Sequence, residues 1–292
     1  MASRHLHKLK IKYIGLSMKS KKNKAYIQNI TDISLLSNIL NIDKDAVLFN
    51  SLELTKAQEE KLNSDRKLIR EGYPLDYVLG QVKIKGCNFC INKSVLIPRP
   101  ETETLIEIII LKSINRELLI DIGTGSGFIG ILLSDYFDKV VMTDISQDAI
   151  DVAKINIESN NKKNTQIILS DLLKNNTLRD LIDRSNSYTL VANLPYVPIE
   201  DEKQSVANNI QFEPSIAIFS GEDGLNCYRD LIQDISKLSN PPTECYFELD
   251  PRNIQIAKNM IQKLGYISHI LNDENNQERF LVCRKDYKQT VI

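Results

Sequence analysis

Five short apolar runs, ELLIDIG at 117–123, KVVMTDI at 139–145, TQIILSD at 165–171, YTLVANL at 188–194 and ECYFELD at 244–250, alternate with stretches of helical periodicity such as SQDAIDVAKINIESN. Runs of this length and uniformity are buried strands, and strands separated by amphipathic helices must form an open parallel sheet covered on both faces. The class is therefore α/β. The last two runs, YISHIL and RFLVCR, are joined only by NDENNQE, which predicts an antiparallel pair at the end of the sheet.

Upstream the period changes. YIQNITDISLLSNIL repeats apolar residues at three and four, and TKAQEEKLNSDRKLIREG is a charged helix stopped by Gly72. QVKIKGCNFCINKSVLI alternates around a glycine, as a hairpin does, before PRP stiffens the chain and ETETLIEIIILKS opens a helix. The expected domains are a basic arm at 1–24, a small helical domain at 25–84, and a hairpin plus catalytic sheet at 85–292, a division that suits 292 residues.

Charge is spread unevenly. The net value is -1, yet residues 1–31 hold eight Lys/Arg and no acid, leaving about -9 for the rest. Such an arm reads as a solvated tail, a nucleic-acid contact or an organellar transit segment. No run approaches the ~18 apolar residues of a membrane span. Five cysteines without an export signal predict reduced thiols in the cytoplasm, or in an organelle if the arm is a transit segment. Cys87 and Cys90 form one CxxC, but the histidines show no paired spacing, so no metal is expected.

The first strand ends in DIGTGSGFIG. Gly123, Thr124, Gly125, Ser126 and Gly127 let the backbone turn close to a ligand, and the next helix offers it unpaired N–H groups. Gly125, Gly127 and Gly130 also satisfy the dinucleotide spacing, so NAD and S-adenosylmethionine both stay open at this point. Asp144, about 20 residues on, suits two ribose hydroxyls in either case. Asp171 favours S-adenosylmethionine: it ends the third strand, where an acid can take an adenine amino hydrogen while Leu172 covers the ring. Asp171 can equally be a helix N-cap.

Strand four delivers Asn193, Leu194, Pro195 and Tyr196 to the same carboxyl edge. A planar NH2 group is a poor nucleophile because its lone pair is delocalised. Two acceptors, the Asn193 side-chain oxygen and the Leu194 carbonyl, can hold both hydrogens and aim the lone pair at a methyl donor. Pro195 fixes the direction of the chain, and Tyr196 supplies a flat wall for the substrate.

With EGYPLDYVLG, VLIPRPETETL, DIGTGSG, SDLL, NLPYVP and FEPSIAIFSGEDGL in this order, the chain resembles HemK/PrmC-type proteins, the peptide-chain-release-factor glutamine N-methyltransferases, from about residue 70 onward. The resemblance implies a helical N-terminal domain that recognises the partner, a linking hairpin and a seven-stranded Rossmann-like sheet. It implies S-adenosylmethionine as cofactor and the Gly-Gly-Gln loop of class I release factors as substrate, with no membrane, no required nucleic acid and a monomeric enzyme. Asn193, Pro195 and Tyr196 match the family's Asn-Pro-Pro-Tyr element; Gly123 to Gly127, Asp144 and Leu172 match its cofactor contacts, and Asn193 is counted with both sets. Leu194 replaces the family's first proline, a form shared with ribosomal-RNA adenine dimethylases. Arg99 and Glu101 are expected to fix the hairpin near the cofactor, Glu213 to brace the following loop, and Gly221 and Gly224 to be its flexible points. A ribosomal-protein glutamine methyltransferase, an adenine methyltransferase, a nicotinamide oxidoreductase and a non-catalytic binding module are the rival readings.

Overall fold

The computed structural model describes residues 26–202 and 210–286; the basic arm lies outside them. The chain divides into two compact units between Gly80 and Gln81. The expected boundary after residue 84 would separate two strands that pair along their length, so both belong to the second unit.

The first unit is helical. Helix α1 (Ile30–Leu40) begins at Asn29, whose side chain accepts from the Asp32 backbone while Asp32 reciprocates, and it stops at Asn41 in the left-handed region. Helices α2 (Lys44–Phe49), α3 (Lys56–Arg70) and α4 (Leu75–Leu79) follow. Thr55 and Gln58 form the same reciprocal cap on α3, a device that contributes about 1 kcal/mol by satisfying orphan N–H groups. Ile33, Leu36, Val47 and Leu62 close the core, and Arg66 Nε meets buried Asp32 Oδ1 at 2.8 Å.

The second unit opens with a hairpin, β1 (Gln81–Ile84) and β2 (Cys87–Cys90), turning through Lys85 and Gly86, both at positive φ. That is the turn whose twist matches paired strands. Helix α5 (Pro100–Lys112) has its proline in the first turn, where no N–H is needed. Then come β3 (Leu118–Ile122), α6 (Phe128–Leu133), β4 (Lys139–Asp144), α7 (Gln147–Ser159), β5 (Thr165–Leu169), α8 (Asn176–Arg184) and β6 (Thr189–Ala192). Helix α9 (Asn226–Ser236), β7 (Glu244–Glu248), α10 (Ile254–Gln262), β8 (Tyr266–Asn272) and β9 (Glu278–Lys285) complete the unit.

The seven-stranded sheet runs β5-β4-β3-β6-β7-β9-β8. Strands β3 to β7 are parallel and β8 pairs antiparallel with β9, as the sequence pattern predicts, while β9 inserts between β7 and β8. Alternate residues feed two cores: Leu118, Ile120 and Ile122 of β3 join one, and Leu119 joins the other. A strand buried on both faces has no polar side, which explains the continuous apolar runs. The order reverses between β3 and β6, so the loops after these strands diverge and leave a crevice at their carboxyl ends.

Candidate active site

A cavity of about 230 Å³ occupies that crevice. Its walls come from Ser94, Leu96, Arg99 and Thr102 ahead of the sheet, Gly123, Thr124, Gly125 and Ser126 after β3, and Asp144, Ile145 and Ser146 after β4. Ser170, Asp171 and Leu172 after β5, and Asn193, Leu194 and Pro195 after β6, complete the strand ends; Ile216, Ala217, Cys227 and Asp230 face them. The catalytic, substrate and cofactor candidates of the sequence therefore meet in one space, except Gly127 and Tyr196, which do not line it; nor do Glu101, Gly130, Glu213, Gly221 and Gly224.

The glycine loop is shaped by its neighbours. Gly123 adopts φ 70°, a conformation that favours glycine, and a Cβ there would stand 2.7 Å from Leu194 Cδ2, which would have to shift. Gly127 caps α6 at φ 81°. Gly130, the last member of the dinucleotide spacing, lies inside α6, where a Cβ would come within 2.5 Å of Met142 on β4. Helix-to-strand packing accounts for it, and the glycine does not line the cavity. Buried Asn156 of α7 ties the loop to the hairpin: its Nδ2 donates to Ser126 O at 2.8 Å and Cys90 O at 2.9 Å.

The Asp144 carboxylate is held from the protein side. Oδ2 accepts from Gly125 N and Oδ1 from Ser146 N, both at 2.9 Å, and burial raises its pKa against these bonds. Asp171 is half-exposed and pairs with Lys174 Nζ at 2.7 Å. It is not an N-cap, because α8 is capped four residues later by Asn175, whose side chain accepts from Leu178 N. Ser126 Oγ is buried and has no partner.

Asp121 sits beneath the loop, wholly buried. Burial pushes its pKa from 3.8 up to about 7, although Thr124 Oγ1 and Gly130 N both donate to Oδ2. The folded state thus holds this proton more tightly than the unfolded chain does. The stability it contributes is full below about pH 4 and is lost as pH rises through about 7, a change on the order of 4 kcal/mol. Asp121→Asn should flatten the dependence of Tm on pH across that window relative to the wild type. Parallel melting curves from pH 4 to 8 would show that Asp121 does not titrate there.

Asn193 is half-buried, and its Nδ2 donates to Oγ1 of fully buried Thr102 at 3.1 Å. This commits the amide nitrogen and leaves Oδ1 as the end available to a ligand. The Leu194 N–H donates to the Tyr228 hydroxyl at 3.2 Å, a bond that the family's proline could not make. Tyr196 turns its hydroxyl to Glu248 Oε1 at 3.1 Å, and the Arg279 guanidinium lies 5.9 Å from its ring centre. Thr102, Tyr228 and Glu248 were not singled out from sequence. Thr102 falls inside ETETL and Glu248 ends ECYFE, where an acid in an apolar strand was the available signal.

Arg99 pairs with Glu213 Oε1 at 2.6 Å, and Ile97 N donates to the other Glu213 oxygen at 3.1 Å. Glu213 therefore braces the loop against Arg99, while Glu101 does not reach the cavity. Gly221 and Gly224 are packed tightly: a Cβ on Gly224, at φ 80°, would lie 2.2 Å from the Tyr196 carbonyl oxygen, so close approach rather than flexibility explains it. Gly224→Ala should lower Tm by about 5 °C or more, the effect of a strained backbone plus a displaced turn. An unchanged melt would show that the turn yields freely.

Residues 100–211 match the family model described as "Methyltransferase small domain". A release factor glutamine methyltransferase of Mycoplasma mycoides is 37% identical over 239 residues, covering 78% of this chain and 78% of the relative. One of Streptococcus pneumoniae is 31% identical over 238 residues, covering 79% and 82% respectively. Among solved structures, the hMettl16 catalytic domain in complex with MAT2A 3'UTR hairpin 1 overlays with a TM-score of 0.53 at 18% identity, covering 82% of this chain and 84% of that one. The likeness is one of fold. With its glycine loop, acid-ended strands and NLPY turn gathered round one cavity, this chain belongs to the release factor glutamine methyltransferases, the HemK/PrmC family.

Proposed function

We propose that the protein transfers a methyl group from S-adenosylmethionine to the side-chain nitrogen of the glutamine in the Gly-Gly-Gln loop of class I release factors. The observation that carries this reading is the Asn193 amide, whose nitrogen is held by buried Thr102 so that its oxygen is left for a ligand at the cavity wall. The residues present fit the cofactor. Asp144 keeps lone pairs beyond its two backbone bonds for ribose hydroxyls, and the unpartnered Ser126 Oγ offers a further polar contact. Leu172 and Ile145 give apolar cover for a purine, with Asp171 at its edge. Gly125 has open space where a side chain would stand.

When bound, S-adenosylmethionine supplies an electrophilic methyl group. The chain's own task is orientation. Asn193 Oδ1 and the Leu194 carbonyl would accept the two hydrogens of the glutamine NH2, which directs its lone pair and stabilises positive charge as nitrogen is alkylated; one of those two hydrogens then leaves as a proton to solvent, giving the neutral N-methyl amide. Burial raises the pKa of the Cys227 thiol in the same wall, so it stays protonated and does not compete as a nucleophile. No helix among the described residues is long and apolar enough to cross a membrane.

The test is a mass spectrum of a release-factor tryptic digest after incubation with this protein and S-adenosylmethionine. One added methyl on the Gly-Gly-Gln peptide is expected. Methylation of RNA or of a ribosomal protein, with release factor untouched, would overturn the reading.

A further inference from the structure

We propose that Ser170 is a positioning residue for cofactor binding: its hydroxyl holds Leu172 in a left-handed backbone turn, and that turn brings Asp171 and Leu172 side by side onto the cavity wall. The inference deepens the reading of this cavity as the S-adenosylmethionine site and rests on it.

In a strand, consecutive side chains point to opposite faces. Ser170, Asp171 and Leu172 follow directly on β5, yet all three line the cavity, and Leu173 then enters the core with no exposure. The alternation has to break here, and it breaks at Leu172, where φ is 48°. Four other non-glycine residues among the described ones have a positive φ: three are asparagines, and Lys85 is in the hairpin turn. Asparagine tolerates this region because its short polar side chain can bond locally, whereas leucine has no such compensation. Something outside the leucine must hold it there.

Ser170 does so. Its Oγ donates to the Leu172 carbonyl at 2.7 Å and accepts from Asn175 N at 3.3 Å. The sense of both bonds is fixed, since a carbonyl only accepts and a backbone N–H only donates. The flanking carbonyls are taken from further along the chain, Asp171 O by Lys174 N at 3.0 Å and Leu173 O by Arg179 Nε at 2.8 Å. Only the serine reaches across Leu172 from the strand side.

The same residue joins the turn to the rest of the cofactor wall. Its backbone N donates to Asp144 O at 2.8 Å, so the acid offered to the ribose and the pair offered to the purine are both referred to one position, 5% exposed. Asn175, bonded to the serine hydroxyl, caps α8 and donates from Nδ2 to Leu169 O at 3.1 Å, which closes the turn from the helix side. Without the hydroxyl, Leu172 is free to relax out of the left-handed region, and its side chain then turns off the wall.

The experiment titrates S-adenosylhomocysteine by calorimetry into the wild type, Ser170→Ala, Leu172→Gly and the double variant, and measures kcat and the KM for S-adenosylmethionine with release factor. Ser170→Ala is expected to raise Kd about tenfold, the effect of one lost hydrogen bond. Its KM for S-adenosylmethionine should rise in step, with kcat at saturating cofactor within about threefold of the wild type. Leu172→Gly takes the left-handed region without strain but loses the apolar cover, and should also raise Kd about tenfold. Because both changes act through one side chain, the double variant should bind no more than about threefold worse than Leu172→Gly alone. An unchanged Kd in Ser170→Ala would overturn the proposal. So would losses that multiply in the double variant, the sign of a hydroxyl that touches the ligand itself, or a fall in kcat as large as the rise in KM, the sign of a loosened fold. A wild type that binds S-adenosylhomocysteine but leaves release factor unmethylated brings down the choice of substrate and leaves this inference to the Kd values; a wild type that binds none brings down both.

Discussion

Asn193→Ala is expected to cut kcat on release factor by roughly two orders of magnitude, about 3 kcal/mol, while the Kd of S-adenosylhomocysteine changes little. The size follows from removing one oriented acceptor at a nitrogen that gains positive charge only in the transition state. The variant also leaves the Thr102 hydroxyl without its donor from Asn193, a smaller cost carried by the folded state. Steady-state kinetics with calorimetric cofactor binding separates the two. Turnover within a few-fold of the wild type would remove Asn193 from the chemistry, and a matching loss of cofactor affinity would make it a binding residue instead.

Asp144→Ala is expected to do the reverse. Each hydrogen bond from a hydroxyl to an ionised carboxylate contributes about 1.5–3 kcal/mol, so losing two should weaken S-adenosylhomocysteine binding by about a hundredfold or more. The loop suffers too, because Gly125 N and Ser146 N lose their acceptor together. Asp144→Asn keeps one oxygen for these contacts and should fall between alanine and wild type. Calorimetry reads the ordering directly, and an alanine variant with wild-type affinity would place the ribose elsewhere.

Much of this arrangement is legible in the chain. A strand buried on both faces must be apolar throughout, so the five runs announce themselves, and a chain that must bend at a strand end uses glycine, so the loop after β3 does too. The antiparallel pairing of β8 with β9 follows the short NDENNQE connection, which permits only antiparallel neighbours. The NLPY turn, with Asp144 and Asp171, could be placed at one sheet edge because parallel strands all end on the same side.

Other features depend on partners distant in sequence. Gly130 fits a dinucleotide spacing on paper, yet its small size serves Met142 on the next strand. Asp171 precedes a helix, yet Asn175 caps it. Tyr196 looks like a wall for the substrate, whereas its hydroxyl is spent on Glu248, 52 residues away. Local sequence determined the α/β class, the antiparallel pair that ends the sheet and the identity of the loop that carries the asparagine, since these follow from periodicity and chain connectivity, whereas the order of the strands was decided by the fold. Which way that asparagine points was decided only in three dimensions, because its amide nitrogen is held by the hydroxyl of buried Thr102, 91 residues away in the chain, which folding alone brings beside it.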